Sequence, residues 1–242
     1  MAYRNYINID DSLLDKPVYR IMSMQRILEA LQKKELVLVK PKKWDDPFEN
    51  ALLSAPVVTS SGETLEFAAK NSVYGQCWTL HRETDAMWRI YSPDKQGAKI
   101  KTSIRKLLNA LKDNQETFGE LKCFIGQVKY LYKRDLLSKL SNINLLDTNG
   151  SGIAESLLYK RKEFSHEKEV RLIYSGPDNE CISDIYSFKI NPNALFEEII
   201  LDPRMDSELA IAYKLAIKNK SYSNRIVQSS LYSRPKGLVI KI

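Results

Sequence analysis

The sequence predicts an α+β fold, a mixed and mostly antiparallel sheet with flanking helices. Three observations carry this expectation. Short apolar or alternating runs bounded by Pro, Gly, Ser or Asp recur along the chain, as at 35–41, 74–79 and 169–174. Between them lie stretches with apolar residues at i, i+3, i+4 and i+7 spacing, the mark of amphipathic helices. The two kinds of segment interleave without the steady strand–helix–strand rhythm of a doubly wound sheet.

Taken in order, residues 1–16 are polar and mixed, a loose lead-in. PVYRIMS (17–23) reads as a short strand, and Ser23 as the N-cap of a helix with Met24, Ile27, Leu28 and Leu31 on one face, running to about Lys33. ELVLVKP is a strand stopped by Pro41. KWDDPFEN (43–50) is a turn in which Pro47 sets the backbone, Asp45 caps, and Trp44 and Phe48 pack down. YGQCWT (74–79) is a strand. Asp85 caps a short helix through Met87, Trp88 and Tyr91, closed by Pro93. GAKIKT (97–102) is a strand, and Ile104, Leu107, Leu108 and Leu111 mark the next helix. IGQVKYLY (125–132) alternates as a half-buried strand does. Residues 134–163 read as helix in two pieces broken near DTNGSG (147–152). Strands follow at 169–174, 184–190 and 197–201. Asp206 caps a helix with Leu209, Ala212, Tyr213 and Ala216, and RIVQSSLY (225–232) is the last strand. With no repeat, low-complexity stretch or linker, residues 1–242 read as one domain.

A chain of 242 residues can bury a core that needs no disulfide or metal staple. Hydrophobic content of 43% and charged content of 28% are ordinary for a soluble globule. The net charge of +7 fits an anionic partner such as nucleic acid or a dinucleotide, and equally a lysine-rich solubilising surface. Cys77, Cys123 and Cys181 form no C-x-x-C pair, and two histidines complete no zinc site in a usual spacing, so no metal is expected. The N-terminal MAYRNYINIDD lacks an apolar run, and no window approaches a membrane span, which makes a cytoplasmic protein without membrane contact the expectation. Gly-rich phosphate loops, H-E-x-x-H and G-x-S-x-G are absent from the sequence.

The stretch with the most chemistry is HEKEVRLIY, residues 166–174. If 167–173 is extended, Glu167, Glu169 and Arg171 share one face, while Val170 and Leu172 turn to the other. Two carboxylates about 7 Å apart each raise the other's pKa unless a cation, Arg171 or Lys168, intervenes. A plain charge ladder on a solvated strand edge is the competing reading. KWDDPFEN places three carboxylates within five residues, suited to substrate contact, to a divalent ion, or to nothing more than a rigid turn. Met87, Trp88 and Tyr91 have helical spacing, which is more often that of core than of pocket. His166 reads as solvent-exposed rather than as a base.

Two resemblances follow from these pieces. KWDDPFEN, CWTLHRETDAMWRIYSPDKQGAKIK, KRKEFSHEKEVRLIY and INPNALFEEIILDP followed later by SSLY, in that order, resemble a prokaryotic family of unknown function, number twenty-nine seventy-one in the domain-of-unknown-function series. An Arg on an early strand (Tyr19–Arg20), a hydroxyl residue ending a middle strand (Cys77–Thr79) and E-x-E opening a late one resemble the mono-ADP-ribosyltransferase fold. The chain departs from that pattern in having Trp78–Thr79 where a Ser-Thr-Ser stands in the family.

The second resemblance implies an ADP-ribosyltransferase-like fold and NAD as substrate. It implies that Glu169 stabilises the cationic ribose, with Glu167 orienting or deprotonating the acceptor and Arg20 holding the pyrophosphate. Thr79 would hydrogen-bond nearby, and Trp78, Trp88 or Tyr91 would stack on nicotinamide or adenine. Trp44, Asp46, Glu49, His166 and Arg171 are the expected substrate contacts. The acceptor is a nucleic acid or a protein. A toxin or phage-defence effector, with an antitoxin or regulatory protein as partner, is the expected setting. Two other functions stay open: a Mg²⁺ nuclease using Asp45, Asp46, Glu49, Glu167, Glu169 and Lys168, and a non-enzymatic protein- or nucleic-acid-binding module in which the acids and Arg171 form a structural ion-pair network.

Overall fold

The computed structural model describes residues 5–58, 60–115, 119–145, 147, 150–177, 181–235 and 237. Residues 1–4 of the expected lead-in, and 148–149 of the expected helix break, lie outside these.

In chain order the strands are β1 (Tyr6–Ile7), β2 (Pro17–Ser23), β3 (Glu35–Val39), β4 (Pro56–Val58), β5 (Thr64–Glu66), β6 (Val73–Thr79) and β7 (Gly97–Ser103). They continue with β8 (Cys123–Gln127), β9 (Lys129–Leu131), β10 (Tyr159–Arg161), β11 (Glu169–Ser175), β12 (Ile185–Lys189), β13 (Glu198–Leu201) and β14 (Arg225–Gln228). The helices are α1 (Met24–Lys33), α2 (Asp85–Tyr91), α3 (Ile104–Lys112), α4 (Gly119–Lys122), α5 (Lys133–Ser141), α6 (Ser151–Ser156), α7 (Pro192–Leu195) and α8 (Ser207–Lys218). This is the α+β pattern of interleaved strands and helices, with pairing that is mostly antiparallel.

Several local signals act as the sequence predicts. The Ser23 hydroxyl accepts the Arg26 N–H and starts α1, and the Asp206 carboxylate accepts the N–H groups of Glu208 and Leu209 at α8. Others shift. Thr84, not Asp85, caps α2, its hydroxyl accepting the Met87 N–H. The turn after Asp45 is capped by Asp46, which accepts the Phe48 N–H at 3.1 Å. The single strand expected at 125–132 is two, β8 and β9, interrupted at Val128. The helix expected to reach Lys162 and Glu163 ends at Ser156. Beyond it come β10 and a 3-10 turn, Lys162–Glu167. The last strand stops at Gln228. Tyr6 and Ile7 of the lead-in pair in parallel with Ile125 and Gly126 rather than lying loose.

The chain gathers into two compact units, each built from three separate segments, so no linker composition marks them in the sequence. The first comprises Met1–Val18, Glu35–His81 and Ser103–Ile190. Its sheet runs β1-β8-β11-β6-β3-β12, antiparallel except for the β1–β8 pair. Two small sheets, β9–β10 (parallel) and β4–β5 (antiparallel), accompany it. Its core packs Leu53, Val73, Phe124, Leu157, Leu158 and Ile173 together, each apolar side chain contributing about 1.5–3 kcal/mol on burial. The second unit comprises Tyr19–Lys34, Arg82–Thr102 and Asn191–Ile242. In it β7, β13 and β14 are neighbours, β7–β13 antiparallel and β13–β14 parallel.

Candidate functional site

Strand β11 is a central strand of the first unit, paired with β6 on one side and β8 on the other. Residues 169–174 are all buried. A solvated strand edge is therefore not what E-x-E occupies. Side-chain alternation sends Glu169 and Arg171 to one face, with Val170 and Leu172, both fully buried, on the other.

Glu167 reaches the same place by another route. It lies in the 3-10 turn rather than the strand, and Lys168 between the two glutamates is left-handed, with φ 42° and ψ 55°. The extended reading of 167–173 thus fails at its first two residues. The bend nevertheless turns both carboxylates toward a single ammonium. Lys160 Nζ, on β10, lies 2.5 Å from Glu167 Oε2, 2.9 Å from Glu169 Oε1 and 2.9 Å from Glu49 Oε1. Arg171, wholly buried, donates from Nε to Glu169 Oε2 at 2.6 Å, from Nη2 to Glu49 Oε2 at 2.6 Å and from Nη1 to the Leu157 carbonyl at 2.7 Å. Its guanidinium also lies 4.5 Å from the centre of the Trp44 ring. That ring sits against Gly75, where a Cβ would come within 2.6 Å of it.

Glu49 arrives from the 3-10 turn Pro47–Asn50, so the WDDPFE turn does reach the glutamates. The neighbouring Asp46 carboxylate accepts from Arg161 Nη2 at 3.1 Å. Asp45 is exposed. Tyr130 sits beside the pair, its hydroxyl accepting the Glu169 N–H at 2.8 Å. On the adjoining strand, Thr79 stands opposite Glu169 in register, donates from Oγ1 to the Glu167 carbonyl at 2.6 Å and accepts the His81 N–H.

Three carboxylates thus share two cations in a buried space. The imbalance falls on Glu167. Burial, a hydrogen bond with Glu169 and the nearby Glu169 charge raise its pKa to about 7, against the pull of Lys160. Burial also opposes ionisation of Glu169, but the Arg171 charge, together with Lys160, outweighs it and holds that carboxyl well below the usual range. For Lys160, burial disfavours the ammonium, and the surrounding glutamates reverse this and raise its pKa. Glu169 is the fixed anion of the group, and Glu167 is the member that exchanges a proton near neutrality.

The other expected site residues are placed as follows. Trp78 is buried and donates from Nε1 to Gln76 Oε1 at 2.8 Å, so its ring packs in the core rather than presenting a stacking face. His166 is exposed. Arg20, Trp88 and Tyr91 belong to the second unit. There Trp88 is fully buried, donating from Nε1 to Glu83 Oε1 at 2.8 Å, for the same reason that Trp78 is unavailable, whereas Tyr91 is exposed and Arg20 half-buried. The nuclease set fares differently. Lys160 and Arg171 engage oxygens of Glu49, Glu167 and Glu169 that a Mg²⁺ ion would take, and Lys168 is an exposed residue of the left-handed turn rather than of the strand. Among the described residues no group of three or more His, Cys, Asp or Glu side chains is placed to hold a metal ion.

Lys160 is the central residue that the sequence reading does not reach. It lies in a segment that the periodicity places in helix, which hides the direction of its side chain. Nothing in the sequence around it singles out Lys160 from Arg161 and Lys162.

Comparison with known proteins adds the following. A family model described as protein of unknown function (DUF2971) matches residues 87–172. This bears out the resemblance read from the motifs; the match begins within α2 and ends within β11. No curated protein matches the chain. Among solved structures, the chain is similar to Thermus sp. 2.9 DarT in complex with carba-NAD+, at 13% identity and a TM-score of 0.41, covering 89% of this chain and 96% of that one. It is similar to the same protein in complex with ADP-ribosylated ssDNA at 12% identity and a TM-score of 0.42, covering 89% and 94%. No helix among the described residues is long and apolar enough to cross a membrane.

Proposed function

We propose that this chain is an ADP-ribosyltransferase-like enzyme that cleaves NAD and transfers ADP-ribose to a macromolecule. The observation that carries the proposal is the convergence of Glu49, Glu167 and Glu169 on one cationic centre, Lys160 Nζ. Three carboxylates against the two cations Lys160 and Arg171 leave a net negative charge when all are ionised, and that sign stabilises a ribose carbon losing its base. In the reaction, the bond between C1′ and the nicotinamide nitrogen breaks and the electron pair leaves with neutral nicotinamide. Glu169, kept ionised, stabilises the oxocarbenium-like carbon. An acceptor O–H or N–H attacks C1′, and its proton passes to Glu167, whose raised pKa suits a general base near neutrality. The net charge of +7 favours a nucleic-acid acceptor. In a prokaryotic cell such an activity acts as a toxin or defence effector, checked by an antitoxin or regulatory protein.

The same geometry favours a second reading, a structural ion-pair network in a non-enzymatic module. Both oxygens of Glu169 are engaged, and the side chain is 6% exposed. Incubation with labelled NAD and cellular DNA, RNA and protein separates the two. On the first reading label is transferred, and Glu169→Gln abolishes transfer while the protein stays folded by circular dichroism. Absence of both transfer and NAD cleavage in the wild-type protein would leave the network reading in possession of the site.

A further inference from the structure

The geometry points to a single-stranded polynucleotide as the bound partner, lying across β9, the start of α5, β10 and the 3-10 turn that leads to Glu167. It rests on the transferase reading only in naming that strand the acceptor.

Segments 129–134 and 161–168 meet through the parallel pairing of β9 with β10, in which Lys129, Tyr130 and Leu131 stand opposite Tyr159, Lys160 and Arg161. These two segments carry six basic side chains, Lys129, Lys133, Arg134, Arg161, Lys162 and Lys168, and two glutamates, a net of +4 of the chain's +7. One of the two, Glu167, is buried under the turn, and Asp135 adjoins them in α5. Apart from half-buried Arg161, which Asp46 engages, the basic side chains are exposed. This concentration is what a phosphate backbone selects.

Aromatic rings alternate with these cations. Tyr132 is 61% exposed, with Lys162 Nζ 4.2 Å from its ring centre and bonded to its hydroxyl at 2.9 Å. Arg161 lies between Phe48 and Phe164, at 4.7 and 5.3 Å from their centres, and Lys133 Nζ lies 5.6 Å from Phe48. Phe164 also covers Lys160, at 4.6 Å, and so joins this surface to the carboxylate cluster. Tyr132 is the exposed ring, while Phe48 and Phe164 are half-buried on either side of Arg161; cations beside an exposed ring bind phosphates and let a base stack. A duplex keeps its base faces stacked on one another, so only a single strand uses both features. An acidic peptide would use the cations and leave the rings idle.

The test is fluorescence anisotropy of the full chain with a labelled DNA strand of about 20 nucleotides, the same sequence as RNA, and the DNA duplex. Unlabelled polyglutamate serves as competitor. Single strands are expected to bind at least about 10-fold tighter than duplex, and the DNA and RNA arms identify the sugar. Tyr132→Ala should weaken single-strand binding about 10-fold and leave duplex binding little changed. The combined K133E/R134E/K162E variant should lose about 100-fold and lower the salt slope by about 2. A thermal melt checks that both variants remain folded. Equal affinity for duplex, unchanged binding by both variants, or polyglutamate competition as strong as that of unlabelled single strand would overturn the inference. Wild-type protein that binds the strand but cleaves no NAD removes the transferase reading alone. Transfer to nucleic acid that persists unaltered in both variants removes this surface alone.

Discussion

Replacing Arg171 with methionine should destabilise the protein by about 3–5 kcal/mol, the usual cost of removing one partner from a buried ion pair. The structure sets this magnitude. Arg171 is wholly buried and donates to Glu169, Glu49 and the Leu157 carbonyl, at 2.6, 2.6 and 2.7 Å. Methionine fills part of the volume but leaves three carboxylates, Glu49, Glu167 and Glu169, facing Lys160 alone and a buried carbonyl without its donor. For a chain of this size, each kcal/mol shifts Tm by about 2–4 °C, so the expected fall is roughly 6–20 °C. Differential scanning calorimetry at neutral pH measures it. A double-mutant cycle with Glu49→Gln should give a coupling of about 1–3 kcal/mol, because each change removes the same contact. A Tm within about 2 °C of wild type for Arg171→Met would refute the placement of the guanidinium at the centre of the cluster.

Glu167 gives a pH signature. Its folded pKa of about 7 lies above the ordinary glutamate value of 4.5, so between those pH values the folded state holds a proton that the unfolded chain has released. Stability from this group is therefore greatest below the window and falls as pH rises through it. Melts across pH 5–8 should show a decline in wild type that is absent in Glu167→Gln, and parallel curves would count against it. Glu169, with its lowered pKa, acts in the opposite sense, and its contribution is lost as the medium becomes strongly acid. Gly75→Ala places a methyl 2.6 Å from the Trp44 ring and should cost about 1–3 kcal/mol in urea titrations, a value near zero showing that the ring has room to withdraw. Thr79→Val removes the donor to the Glu167 carbonyl and should cost about 1 kcal/mol, with a measurable change in the Glu167 titration followed by carboxyl NMR.

Much of the framework was legible because it depends on local rules. Ser23 and Asp206 cap helices with their own side chains, and alternation along β11 correctly separates Glu169 and Arg171 from Val170 and Leu172. What escaped depends on contacts distant in sequence. That β11 is central rather than an edge follows from its pairing with β6 and β8, about 90 and 45 residues earlier, and no periodicity within EVRLIYS encodes it. Glu49 joins the cluster 122 positions from Arg171, and its own turn reads equally well as a capped corner. Lys160 was hidden by a run of residues whose spacing suits a helix until tertiary pairing with β9 draws it into a strand.

The left-handed backbone at Lys168 has a cost that the surrounding contacts must cover, about 1–2 kcal/mol for a residue bearing a Cβ. Asparagine or glycine would sit there with less strain and keep both acids aimed inward. Proline, whose ring fixes φ on the other side of zero, would swing one of them out into water. The shape of a single peptide corner, more than the identity of its side chain, thus decides whether this chain holds two neighbouring acids as a pair or as strangers.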